Sequence, residues 1–138
     1  MMRVHASAVA FGPRGVLIQG ASGSGKSSLA LQLIRMGATL ISDDQTELYI
    51  HEGALWGQAP ATIAGLIEAR GIGLLQADAA PAPICAAIDL NSVETERLPP
   101  QRSIKLLDRE VPQLHKVESP AWPAALAQYL ISGRSTRE

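Results

Sequence analysis

The segment at residues 20–27 constrains this chain more than any other feature. It consists of Gly20, Ala21, Ser22, Gly23, Ser24, Gly25, Lys26 and Ser27 and fits the phosphate-binding pattern G-x-x-x-x-G-K-[ST]. The glycines let the backbone curl so that several N–H groups point at one phosphate. The lysine brings a positive charge to the β- and γ-phosphates, and the final serine hydroxyl can hold Mg²⁺. The segment therefore predicts a loop that binds nucleotide phosphates.

The residues on either side of this loop fit the same interpretation. The apolar residues 16–19 predict a strand directly before it, and residues 28–36 predict a helix directly after it. Gly37 suits the position just beyond the end of that helix. The positive end of the helix dipole adds to the field that attracts a phosphate. A Gly/Ser turn that matches by accident would not need this strand and helix.

The length and composition of the chain limit the kinds of protein that it can be. With 138 residues, of which 46% are hydrophobic, we expect one domain over residues 1–133 and a disordered tail at residues 134–138. The net charge of −1, without a basic block, argues against a nucleic-acid partner. The single cysteine, Cys85, lies in an apolar run and predicts a buried thiol. No apolar run of membrane-spanning length and no signal segment is found, so we expect a cytoplasmic protein without a membrane partner.

The remaining pattern predicts a mixed β-sheet. Strands are expected at residues 4–11, 16–19, 39–42, 47–51, 54–57, 84–90, 103–107 and 114–117, with a terminal helix at 123–131. Residues 61–68 are predicted as helix or turn, and residues 72–75 as a short extended or helical piece. The turn at Gly12–Gly15 makes an antiparallel hairpin that leads into the phosphate loop. An α/β fold with a mixed sheet, rather than a wholly parallel one, follows.

Two adjacent carboxylates follow the next predicted strand. Asp43 and Asp44 lie 17 and 18 residues after Lys26, at the strand edge where α/β proteins bind ligands. Phosphoryl transfer needs a carboxylate that supports Mg²⁺ and a base that orients the nucleophile. Two neighbouring aspartates can divide these tasks, whereas the structural alternative is a solvated turn or a helix cap.

Three further residues are candidates with open alternatives. His5 can exchange a proton near the phosphates, although a strand histidine is more often structural. Glu68, before Arg70-Gly71-Ile72-Gly73, can reach a metal, or it can be a surface charge at the end of a helix. Arg97 can stabilise a transferring phosphoryl group, or it can be a solvated surface residue.

Together these segments resemble the catalytic domain of HPr kinase/phosphorylase. The resemblance rests on residues 4–6, the phosphate loop, Leu40–Asp44 and Ile67–Leu74, and it runs to about residue 117. It implies a P-loop core of the HPr kinase and phosphoenolpyruvate carboxykinase type. The implied activity is transfer of phosphate from ATP, with Mg²⁺, to a serine of HPr, the phosphocarrier of the sugar phosphotransferase system, and also phosphorolysis of the product. A homo-oligomer, a hexamer in the family, is implied as well.

The resemblance also assigns roles to residues. It implies that His5, Lys26, Asp43, Asp44 and Arg97 are catalytic. Asp44 would take the proton of the substrate serine and return it in the reverse reaction, while Asp43 would support the metal or the serine. The phosphate loop would bind nucleotide, and Ser27 and Glu68 would hold Mg²⁺.

The chain departs from the long form of that family at both ends. The N-terminal domain of the long form is missing, and the helix signature near the C-terminus is not recognisable, which predicts a short form of the kind found in some proteobacteria. Two other functions stay open. The arginines between residues 94 and 109 could form the lid of a small-metabolite kinase. A non-catalytic module that senses nucleotide is the second alternative.

Overall fold

A computed structural model describes residues 1–135 of the chain. Residues 136–138 of the predicted tail lie outside the described residues, and within the tail Arg134 Nη2 donates a hydrogen bond to the Pro99 carbonyl at 2.8 Å. The strands and helices of the described part are β1 (Met2–Val4), β2 (Ala6–Phe11), β3 (Arg14–Gln19), α1 (Lys26–Arg35), β4 (Thr39–Ser42), β5 (Thr46–His51), β6 (Ala54–Gln58), β7 (Leu66–Ala69), β8 (Gly73–Gln76), β9 (Ala82–Val93), β10 (Ser103–Leu106), β11 (Arg109–Lys116) and α2 (Trp122–Ser132).

Nine of these strands form one mixed sheet, as the sequence predicts. Its order is β1-β5-β6-β9-β3-β2-β4, and β11 with its neighbour β10 joins β9. β3, which leads into the phosphate loop, is antiparallel to β2 on one side and parallel to β9 on the other. The parallel pair brings the carboxyl ends of β3 and β9 to the same edge, where Gln19 lies opposite Asp89.

Alternation along the strands divides the core between the two faces of the sheet. Val9, Val16 and Ile18 point to the face that α1 and α2 cover. Ala8 and Leu17 point to the other face, where side chains from β5, β6, β10 and β11 fill the space. Since the outer strands of the sheet cover its own second face, the sheet is curled and no second helical layer is needed.

Close approach of β3 and β9 depends on one glycine. A Cβ atom added to Gly15 would lie 2.3 Å from the Pro83 carbonyl oxygen of β9 and 3.1 Å from the Ile41 side chain. No side chain fits this gap, so Gly15 lets the two strands approach each other at the point where their register shifts, between Gly15 and Val16.

Several predicted elements differ from the structure, among them the last strand, which begins at Arg109 rather than at residue 114. Of the helix or turn predicted at residues 61–68, the turn is confirmed for residues 61–65, whereas Leu66–Ala69 is strand β7, paired with β8 as a separate hairpin. β9 is longer than predicted, since it runs from Ala82 to Val93. The first predicted strand is interrupted at His5, which separates β1 from β2. Apolar patterning missed the hairpin because most of β8 is exposed.

Candidate phosphate-transfer site

The phosphate loop connects β3 to α1 at the carboxyl edge of the sheet. Gly23 and Gly25 have φ values of 80° and 101°, which favour glycine. Within residues 1–135, the backbone N–H groups of residues 22, 23 and 25–27 have no acceptor, whereas Ser24 N donates to Ala21 O at 3.0 Å. A curled run of free N–H groups at a helix start is a site for an anion.

Lys26 is buried at the base of this loop. Its Nζ atom donates hydrogen bonds to the carbonyl oxygens of Gly20 and Ala21, at 2.8 and 3.1 Å. Both acceptors are neutral carbonyl groups, and no carboxylate of residues 1–135 forms an ion pair with Lys26. The ammonium group is therefore positioned to interact with a phosphate that enters the loop.

Asp43 is a buried carboxylate whose two oxygens are both occupied. Oδ1 accepts hydrogen bonds from Ser27 Oγ at 2.6 Å and from Ser7 Oγ at 2.8 Å. Oδ2 accepts from the backbone N–H of Glu68 at 3.0 Å. These contacts tie the phosphate loop, β2 and the β7–β8 hairpin to one side chain, 7% exposed.

Asp44 is exposed and faces His5. Its Oδ1 atom lies 2.8 Å from His5 Nε2, and its backbone N–H donates to Ser7 Oγ at 3.2 Å. The φ of Asp44 is 68°, in the left-handed region, which Asp and Asn adopt more readily than most residues. Its Oδ2 atom has no hydrogen-bond partner in the described chain, so it is free to accept a proton.

A cavity of about 580 Å³ opens beside these side chains. Its lining includes Lys26, Ser27, Asp43 and Asp44 together with two residues of the β7–β8 hairpin, Glu68 and Arg70. The predicted residues His5, Lys26, Ser27, Asp43, Asp44 and Glu68 are thus brought together by direct contacts or by this shared lining. The cavity joins the phosphate loop to the candidate base.

Arg97 is placed differently from the other predicted residues. It is exposed in the segment between β9 and β10 and lies outside the cavity lining. In the same segment, Glu94 accepts hydrogen bonds from Arg102 Nε and Nη2 at 3.3 and 3.1 Å, and these bonds lower the pKa of Glu94. Arg109 Nε donates to Gly53 O at 3.2 Å. Two of the arginines considered for a metabolite-kinase lid are therefore engaged in contacts away from the cavity.

The donor set fits Mg²⁺ and phosphate groups. Mg²⁺ commonly takes one or two carboxylates together with substrate phosphates and water. The Ser27 hydroxyl, Asp43 and the Glu68 carboxylate provide oxygen ligands beside the loop. Among residues 1–135, no three His, Cys, Asp or Glu side chains form a metal cluster, so phosphate oxygens and water would complete the coordination shell.

Sequence reasoning assigned no role to three residues of this region, although Arg70 lies in the segment Ile67–Leu74 that carries the resemblance. Ser7 is fully buried and bridges the two aspartates, Arg70 lines the cavity, and Asn91 contacts the phosphate loop. Ser7 carries a signal in the sequence, because it lies two residues after His5 and therefore on the same side of the predicted strand at residues 4–11. Asn91 carries none, because its contact with Ala21 spans 70 positions.

Comparison with known proteins relates the chain to one protein family. Residues 1–80 match the protein family described as HPr Serine kinase C-terminal domain. The HPr kinase/phosphorylase of Streptococcus thermophilus is 44% identical over 73 residues, and that of Clostridium botulinum is 42% identical over 73 residues. These matches cover 52% and 53% of this chain, and the chain spans about a quarter (24%) of the length of either relative.

A solved structure matches nearly the whole chain. It is described as the Hpr(Ser) kinase/phosphatase from Coxiella burnetii, and its TM-score is 0.77 at 25% sequence identity. The match covers 93% of this chain and 87% of that chain. It therefore extends the likeness of fold beyond residue 80, to the part that the family match leaves out. No helix among residues 1–135 is long and apolar enough to span a bilayer.

Proposed function

Because the chain belongs to the HPr serine kinase C-terminal domain family, we propose that it transfers the γ-phosphate of ATP to a serine hydroxyl of HPr. One observation carries this proposal: the two adjacent aspartates have opposite environments. Asp43 is buried and its oxygens are occupied, whereas Asp44 is exposed with Oδ2 free at the cavity. This contrast separates a supporting carboxylate from a base, as phosphoryl transfer requires.

In the proposed reaction, Asp44 handles the proton. The serine Oγ–P bond forms while the bond between the γ-phosphorus and the β–γ bridging oxygen breaks, and ADP leaves with that oxygen. The proton of the serine hydroxyl passes to Asp44 Oδ2. His5 holds the other carboxylate oxygen at 2.8 Å, which fixes the direction of Oδ2. In the reverse direction, the protonated Asp44 returns the proton to the serine oxygen when inorganic phosphate attacks the phosphoserine.

Other residues of the site bind and orient. Lys26 would exchange its hydrogen bonds with Gly20 O and Ala21 O for the phosphates of the nucleotide. The free N–H groups of the loop would bind the same phosphates. Ser27 and Glu68, supported by Asp43, would hold Mg²⁺, which supplies neutralisation of phosphate charge when bound. Arg97 is proposed to stabilise the transferring group, which requires its segment to approach the cavity.

The proposed partner is HPr, and the proposed location is the cytoplasm. Assembly into a hexamer, which the resemblance implies, stays a prediction. The arginine contacts described above give no support to the metabolite-kinase alternative.

The test is a phosphorylation assay with purified chain, HPr, ATP and Mg²⁺, read by intact mass and by site mapping. We expect one phosphoserine on HPr, and none when the target serine is replaced by alanine. Incubation of phosphoserine-HPr with inorganic phosphate tests the reverse direction and should release pyrophosphate. ATP binding without any transfer to HPr would refute the proposed kinase function and favour a nucleotide sensor. Phosphorylation of small metabolites, with HPr left unmodified, would refute it as well and favour a metabolite kinase.

A further inference from the structure

The start of the phosphate loop is held by residues near the carboxyl end of β9, Leu90 and Asn91. Ala21 N donates a hydrogen bond to Asn91 Oδ1 at 3.0 Å. This contact follows from the register, because β3 and β9 are parallel with Gln19 opposite Asp89. Ala21, two residues beyond the end of β3, therefore lies beside Asn91, two residues further along β9. Asn91 lies outside residues 1–80, which the family match covers.

The same strand contacts the loop at a second point. A Cβ added to Gly20 would lie 3.0 Å from Leu90 Cβ and 2.5 Å from Ser24 Oγ, so the backbone of Gly20 is packed between these two side chains. Asn91 itself is held, because its backbone N–H donates to Asp89 Oδ1 at 2.9 Å. Asn91 is therefore held by two hydrogen bonds, one from its backbone to Asp89 in the same strand and one from Ala21 of the loop to its side chain.

These contacts affect the phosphate-binding groups. The N–H of Ala21 is directed to Asn91, and its carbonyl oxygen accepts from Ser24 N and from Lys26 Nζ. The peptide groups on both sides of Ala21 are thus fixed, and the N–H groups of residues 22 and 23 that follow stay without an acceptor in residues 1–135. Without the Asn91 acceptor, the Gly20–Ala21 peptide is held only through Gly20 O, which accepts from Lys26 Nζ. Once Lys26 turns to a phosphate, this peptide is free to rotate and to change the direction of the following N–H groups.

We infer that Asn91 is a positioning residue for nucleotide-phosphate binding, acting through the Ala21 amide. The inference rests on the nucleotide site of the proposed function but not on HPr as the substrate. Its consequence is specific: the affinity for ATP and ADP depends on Asn91, whereas recognition of the protein substrate does not. The second half of the chain therefore contributes to the phosphate loop of the first half.

The test compares ADP binding by calorimetry for the full chain, Asn91→Ala and Gln58→Ala. We expect Asn91→Ala to weaken ADP binding about tenfold, as the loss of one hydrogen bond implies, with a raised KM for ATP and an unchanged KM for HPr. Gln58→Ala is the matched control, because it truncates another side-chain amide that donates to Glu47 away from the cavity, and it should bind ADP like the parent.

A second measurement separates the contact from general damage. Hydrogen exchange of the Ala21 amide should be faster in Asn91→Ala, and Asn91→Asp, which keeps an acceptor oxygen, should restore its protection. ADP binding that Asn91→Ala leaves unchanged, or Ala21 exchange that does not respond, would overturn this inference alone. Absence of nucleotide binding by the parent chain would overturn the proposed function as well.

Discussion

The Nε2 atom of His5 lies 2.8 Å from Oδ1 of Asp44, although 39 positions separate the two residues in the chain. β2 and β4 are antiparallel with Ala8 opposite Ser42, so the residue before β2 meets the residues after β4. Ser7, between them, donates to Asp43 and accepts from the Asp44 amide. Strand register therefore gives the two aspartates their separate environments.

Asp44→Asn should abolish most of the transfer activity. The amide cannot accept the proton of the serine hydroxyl, and loss of a general base costs about 10²–10⁴ in rate. Asn also adopts the left-handed backbone of this position, so the fold and ATP binding should persist. The measurement is kcat for HPr phosphorylation together with Kd for ATP. Asp108→Asn is the matched control, since Asp108 is also exposed with a φ of 61° but lies outside the cavity lining. A kcat of Asp44→Asn equal to that of the parent would exclude Asp44 as the base.

Arg70 and Arg97 should have different roles. Arg70 lines the cavity, so Arg70→Ala is expected to weaken ADP binding about threefold to tenfold by loss of an attractive charge.

Arg97 is exposed outside the cavity lining, so Arg97→Ala should leave ADP binding intact. Because Arg97 is proposed to stabilise the transferring group, the same variant should lower kcat. Calorimetry and initial rates measure the two effects, with Arg35→Ala, on the exposed end of α1, as the control. Unchanged kcat in Arg97→Ala would refute the role proposed for Arg97.

Gly15→Ala should destabilise the fold by about 1–3 kcal/mol, the usual cost of overpacking a core. The new Cβ would lie 2.3 Å from a carbonyl oxygen of β9, and backbone cannot move aside without loss of strand pairing. Gly57→Ala is a graded comparison, because its nearest neighbours are side-chain atoms of Ile84 and Thr46 at 3.2–3.4 Å, which can shift. Urea denaturation followed by circular dichroism should rank the parent above Gly57→Ala and Gly57→Ala above Gly15→Ala. Equal loss in both variants would contradict the close approach of β3 and β9.

The Glu94–Arg102 pair should stabilise the fold only above acidic pH. The hydrogen bonds from Arg102 lower the pKa of Glu94 from 4.5. A lowered native pKa contributes stability above the ordinary value, and this contribution is lost as the pH falls through the native pKa. Glu94→Gln should therefore be less stable than the parent at neutral pH, and the difference should narrow as the pH falls below 4.5. Urea denaturation midpoints measured across this pH range give the difference in stability between the parent and Glu94→Gln, and Glu118→Gln, at an exposed residue, is the control. A difference that does not vary with pH would contradict the prediction.

Local pattern was sufficient for the parts of the site that lie within short segments. The phosphate loop, its strand and helix, and the Asp43–Asp44 pair follow from spacing and apolar runs. The β7–β8 hairpin did not follow, because Leu74 and the rest of its outer strand lack the alternation of buried and exposed residues that marks a strand. The pattern therefore predicts a helix or turn that ends at Glu68, whereas Glu68 and Arg70 lie at a hairpin that borders the cavity.

By itself, the sequence predicted a phosphate-binding loop on a β–loop–α unit within a mixed sheet, because loop chemistry and hairpin turns depend on neighbouring residues. Only the tertiary structure decided which side chains meet. It distinguished Asp43 from Asp44 through Ser7 and His5, and it joined Asn91 to Ala21 across the sheet edge. The physical reason is register: strand pairing sets contacts between residues far apart in the chain, and a shift by one residue would turn each of these side chains to the opposite face.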